Sequence, residues 1–293
     1  MKQKQYSKSS KLYRFIIYSH ITNEYQDMNC ESPVWTYKLL DWIDYEKIGF
    51  IGLSLNANAI HILHEFLENP SKIEWDYFSA NPNAINLLKQ NPSKIKWDFL
   101  SANPNANELL EMNPEKIDWH RLSSNENAIH MLEKNQGKVR WAVLSANPKA
   151  MRLLELNPDK IDWRELSTNR NATQFLENNR EKIHWAYLSA NPNSIHLLEM
   201  NPEKINWYYL SMNENAIHIL ERNIEKIVWK VLTKNVNAMQ LLQNNVEKID
   251  QYDLATNSSI FKKVLNYKYL HERMNTIREE MMMKCMHPKR LVR

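Results

Sequence analysis

The side chains best placed to do chemistry in this chain stand in columns. Lys94, Lys116, Lys138, Lys160, Lys182, Lys204 and Lys226 follow one another at intervals of 22 residues, and Lys72 and Lys248 continue the series at its ends. An evenly spaced cationic edge can track a phosphate backbone, gaining affinity from released counterions, as modular RNA readers do. Acidic residues stand directly before most of these lysines, among them Glu115, Asp159, Glu181, Glu203 and Glu225. Opposite charges on neighbouring edges pair and leave little net field. The column therefore reads first as a structural or solvated ladder, with nucleic-acid contact as the alternative function.

Two other columns carry ligating or base-reading side chains. His61, His130, His196 and His218 share one place in the repeat. A metal would need ring nitrogens within about 4 Å of each other, whereas packed helices lie about 8–10 Å apart. No Cys or acidic ligand joins them, so no metal is expected. The asparagines at Asn81, Asn103, Asn125, Asn147, Asn169, Asn191, Asn213 and Asn235 could face base edges. Most are followed by Pro or a polar residue at a helix start, where Asn is a favoured cap, and capping is the reading adopted.

Information varies elsewhere. The two places after each Trp hold, in different copies, Arg121, Arg164, Tyr187, Tyr208 and Tyr209, and a helix place holds His130, Arg152, His196 and His218. In a solenoid the invariant columns build the scaffold and the variable ones present a surface. Tyr, Arg and His are residue types suited to recognition. These nine residues are the expected partner-binding set. No nucleophile elbow, metal-binding HExxH, phosphate loop or dinucleotide fingerprint occurs, so neither catalysis nor a cofactor is expected.

What must position these columns is a tandem repeat. Trp recurs at Trp75, Trp97, Trp119, Trp141, Trp163, Trp185, Trp207 and Trp229, always 22 residues on, within the unit N-P-x-K-I-x-W-x-x-L-S-A-N-P-N-A-I-x-L-L-E-x. Phe50 and Gln251 take the Trp place in degenerate flanking copies. Asn-Pro opens a helix of about ten residues with Ala84, Ile85, Leu87 and Leu88 on one stripe. A second helix of about two turns starts at the Trp. The spacing predicts an all-α, α/α solenoid of about nine 22-residue helix-pair repeats with capping segments, stacked on a buried Trp column. At about 8–10 Å per unit, such a right-handed stack is about 80–100 Å long. The alternative is a leucine-rich-repeat-like solenoid, whose period range includes 22 and whose asparagine ladder the Asn column imitates. Its apolar strand pattern fails here, because Asp98, His120 and Arg164 occupy a required apolar place.

The expected organisation is a basic arm over 1–30, disordered or not, an N-terminal cap and degenerate repeat over 31–68, regular repeats over 69–258, and a C-terminal capping helix with basic tail over 259–293. Charge follows this division: the repeat body is neutral and both ends are basic, within a net charge of +4. Two cysteines, Cys30 and Cys285, read as free thiols of a reducing compartment. No long apolar run suggests a leader or a membrane span, so an intracellular protein is expected. The repeat unit together with the tail "MMMKCMHPKRLVR" resembles the tandem-repeat proteins of mimivirus-like giant DNA viruses, over about Leu39 to Arg293. That resemblance implies a viral protein of the host cytoplasm or virus factory and transfers no catalytic residue. Combined with the neutral scaffold, it leads to the expectation of a non-enzymatic adaptor with a protein partner.

Overall fold

The computed structural model describes residues 35–65 and 73–285. The arm over 1–30, Lys72 and the basic residues Lys289, Arg290 and Arg293 lie outside them. The chain divides into two compact units. In the smaller, the strands Trp35–Leu39 and Phe261–Leu265 pair in a two-stranded sheet, and a helix, Tyr267–Cys285, follows. The larger, Leu39–Phe261, holds the repeats.

The solenoid expected from the period is what forms, but its helices are shorter than the sequence suggests. Around Asn81 the backbone is extended, its Oδ1 accepts the N–H of Asn83, and Pro82 opens a 3-10 turn, Pro82–Ala84. An α-helix, Ile85–Gln90, continues it and ends where the Asn91 amide donates back to the Leu87 carbonyl. A second 3-10 turn, Pro92–Lys94, presents the lysine, and Trp97–Ser101 forms one helical turn. The ten-residue helix thus divides into a 3-10 turn and a short α-helix, because cap and proline recur too often for a long run. Asp118, Asp162 and Asn206 cap the Trp turns that follow them.

The core is not the Trp column. Leu100, Leu122, Leu144 and Leu166, with Leu88, Leu110, Leu132 and Leu154 from the other helix, have no exposed surface, and the alanines from Ala84 to Ala238 fill the space between. The indoles are half-buried. From Trp97 to Trp229 each is covered by the lysine of the next repeat, with Nζ 4.1 Å (Lys204) to 4.7 Å (Lys138, Lys248) from the ring centroid. The Trp place lies at the rim of each repeat-to-repeat joint, where an amphipathic cation completes the cover. Leu144→Ala should therefore destabilise by about 3–5 kcal/mol and Trp141→Ala by only about 1–3 kcal/mol. Chemical denaturation of both variants measures this order, and the reverse order would return the indoles to the core.

Polar ladders join the units. The serine four places after each Trp, from Ser79 to Ser211, donates its hydroxyl to the Trp carbonyl and accepts a backbone N–H from the next repeat, as Ser145 does with Trp141 and Asp162. The ladder asparagines go further than capping. The Asn103 amide donates to the Ser79 and Asn81 carbonyls of the preceding unit, at 3.0 and 2.7 Å. The same pair of bonds recurs at every ladder asparagine from Asn81 to Asn257. An asparagine ladder thus exists without the strands of a leucine-rich repeat.

That ladder has no end. Asn56, in the first unit, donates to the Ala255 and Asn257 carbonyls of the last at 2.9 and 3.0 Å, the bonding every other unit makes to its predecessor. Asn58 likewise donates to Ser258. Helix Phe50–Leu55 packs on the turn Gln251–Thr256. The repeats close into a ring, and the expectation of an open stack about 80–100 Å long is corrected. Gly49 and Gly52 make this approach possible: a Cβ on Gly52 would lie 2.4 Å from the Ala255 Cβ, and one on Gly49 2.7 Å from the Tyr252 ring.

Candidate interaction face and axial cavity

Four of the nine expected partner-binding residues meet. Tyr187 and Tyr209, at the second place after Trp in consecutive repeats, lie with ring centroids 4.9 Å apart, and Tyr208 meets Tyr209 edge-on at 5.3 Å. The Arg164 guanidinium lies over the Tyr187 ring at 5.3 Å, and the His184 ring meets Tyr187 edge-on at 4.9 Å. Tyr208 is 51% exposed. A hydrogen bond with Tyr187, and after it burial, push the Tyr209 hydroxyl above the usual tyrosine range, so it stays a neutral donor and acceptor.

The other five do not join them. Arg121 lies in the same column but stacks on Phe99 at 3.9 Å, beside Asp98, in a second cluster that includes Tyr77. His130, His196 and His218 run along the other helix, each facing a glutamate of the preceding repeat, Glu111, Glu177 and Glu199, at 2.7, 2.7 and 3.0 Å. Arg152 stands exposed in that same line. The three histidines link neighbouring repeats, and no group of three or more possible metal ligands occurs among the described residues.

The lysine column of the alternative reading has a structural use. Besides lying over the indoles, Lys116 and Lys226 donate to Asn113 and Asn223 within their own turns at 3.2 Å. Neither a protein family, nor a curated protein, nor a solved structure matches the chain. No helix among the described residues is long and apolar enough to cross a membrane.

A feature absent from the sequence reading is a cavity of about 560 Å³. Six consecutive repeats line it, through the residues on either side of the ladder asparagine: Ser124 with Glu126, Ala146 with Pro148, and so on to Lys234 with Val236. One space can touch six consecutive units of a ring only from the concave side, so the cavity lies toward the axis. Arg170 and Glu126, two repeats apart, meet across it at 3.6 Å. A signal for it was present. Whereas the earlier Pro82 and Pro92 keep the 22-residue spacing, from Pro104 and Pro114 onward the prolines recur every 44 residues, at 148 and 192 and at 158 and 202. The repeats lacking them bring Glu126, Arg170 and Glu214 to the place beside the ladder.

Proposed function

We propose that this chain is a non-enzymatic, ring-shaped interaction module, an adaptor of viral origin that holds a protein partner against the face carrying Tyr187, Tyr208, Tyr209 and Arg164. The observation that carries the reading is the convergence of three tyrosines and an arginine from three consecutive repeats on one partly exposed patch. The invariant columns are already committed to the ladder, the leucine core and the lysine–indole rim. The patch has no such task, and its residue types dominate binding at protein interfaces. Nucleic-acid binding through the lysines is the weaker reading, since those ammonium groups are engaged with indoles and stand beside carboxylates. Tyr208→Ala combined with Tyr209→Ala should leave the circular dichroism spectrum and melting unchanged and weaken a partner captured by affinity purification at least about tenfold, the scale of two interface anchors. Undiminished affinity in the double variant would place the interface elsewhere.

A further inference from the structure

We infer that the axial cavity is a binding site for a small zwitterion of the free α-amino acid class, one ammonium and one carboxylate on a compact aliphatic body. The inference goes beyond the partner reading, because the site lies at other residues and needs no macromolecule. A site in a repeat protein must break the repeat, and here the breaks converge. On other units of the ring the inner places hold small or neutral residues such as Ala80, Pro82, Ala102 and Pro104. Around the cavity the same two places hold Glu126, Arg170, Glu214 and Lys234, with Glu165 beside them. None of these five side chains joins the ladder or the leucine core.

Their signs select the ligand. Three carboxylates and two cations give the wall a net charge near −1, which repels phosphates and other polyanions and accepts a neutral or singly cationic molecule. The charges are loosely engaged: Arg170 and Glu126 stand 3.6 Å apart with half-exposed side chains, and Glu165 pairs with Arg164 at 3.8 Å. No ion pair involves Glu214 or Lys234 among the described residues, although both line the same space. A ligand with both charges can bridge these groups, its carboxylate toward Arg170 and Lys234 and its ammonium toward Glu214 and Glu126, each a charge-assisted contact. Val143, Pro148, Pro192 and Met212 add apolar surface to the same wall, and the volume falls in the range of small-molecule sites, about 300–1,000 Å³.

The test is isothermal titration calorimetry of the intact chain against each of the twenty free L-amino acids at up to about 10 mM, a range that detects even millimolar binding. At least one should bind saturably at one site per chain, and its N-acetyl and amide derivatives, which remove one charge each, should bind at least about tenfold more weakly. Arg170→Gln and Glu214→Gln, both at exposed or half-exposed positions, should fold as the parent does and each weaken that amino acid at least about tenfold. Tyr208→Ala should leave it unchanged, which separates this site from the partner face. Absence of binding by all twenty, or binding indifferent to both the Arg170 and Glu214 variants, would overturn the assignment.

Discussion

Asn191→Ala should cost about 3–5 kcal/mol, far more than the loss of an ordinary helix cap, which costs about 0.5–2 kcal/mol. Asn191 has no exposed surface. Its amide satisfies two buried carbonyls of the preceding unit, Ser167 at 3.1 Å and Asn169 at 2.8 Å, while its Oδ1 caps the next turn through the N–H of Asn193. Truncation leaves two buried acceptors unpaired, at about 1–3 kcal/mol each, and removes the cap as well. Asn193→Ala provides the comparison. Its amide also crosses to the preceding unit, at the Arg170 carbonyl, but in an exposed setting where water can replace it, so its cost should stay near 1 kcal/mol. Urea denaturation of the two variants decides the matter, and similar costs would mean that the ladder contributes no more than capping.

Gly52→Val should open the ring. The added side chain begins 2.4 Å from the Ala255 Cβ and 3.0 Å from the Thr256 backbone nitrogen, and backbone cannot yield as a flexible side chain can. Forcing apart Phe50–Leu55 and Gln251–Thr256 removes the Asn56 bonds to the last unit and exposes the buried Leu53 and Leu254. A loss of about 3 kcal/mol or more is expected, at the upper end of overpacking effects, with faster amide exchange confined first to residues 50–56 and 251–257. Gly137→Ala is the control, since nothing lies within 4 Å of a Cβ there and its φ is not positive; its stability should change by less than about 0.5 kcal/mol. Equal tolerance of the two substitutions would remove the seam.

The period, the helical class and the capping role of the asparagines were legible because they are local: a Trp every 22 residues, and an Asn just before a turn. The second role of each asparagine was not, since its amide finds carbonyls 22 and 24 residues back, and no spacing rule distinguishes a donor aimed across the joint from one facing water. Size alone points the indoles to the core, but from Trp97 to Trp229 each sits at a rim where lysine supplies its cover. Closure is the furthest from view. Phe50 and Gln251 read as degenerate end copies, yet the units that carry them, with Gly49 and Gly52, fit each other some 200 residues apart in sequence. Spacing places the post-Trp residues in common columns, and the structure divides them into a tyrosine patch and a separate Phe99–Arg121 cluster. The axial cavity is hidden behind the 22-residue period, which conceals the alternation that supplies Glu126, Arg170 and Glu214.

The closed ring is tested most directly by a distance. With Cys30 and Cys285 replaced by Ser, spin labels at Ile51→Cys and Glu247→Cys, both exposed positions on the first and last units, can be measured by pulsed electron double resonance. Adjacent units of a ring place the labels within about 30 Å of each other, allowing for the label arms at a helix spacing of about 8–10 Å. A single narrow distribution in that range is the predicted result. A distribution centred beyond about 60 Å, as an open stack of the same units requires, would contradict closure and with it the axial cavity.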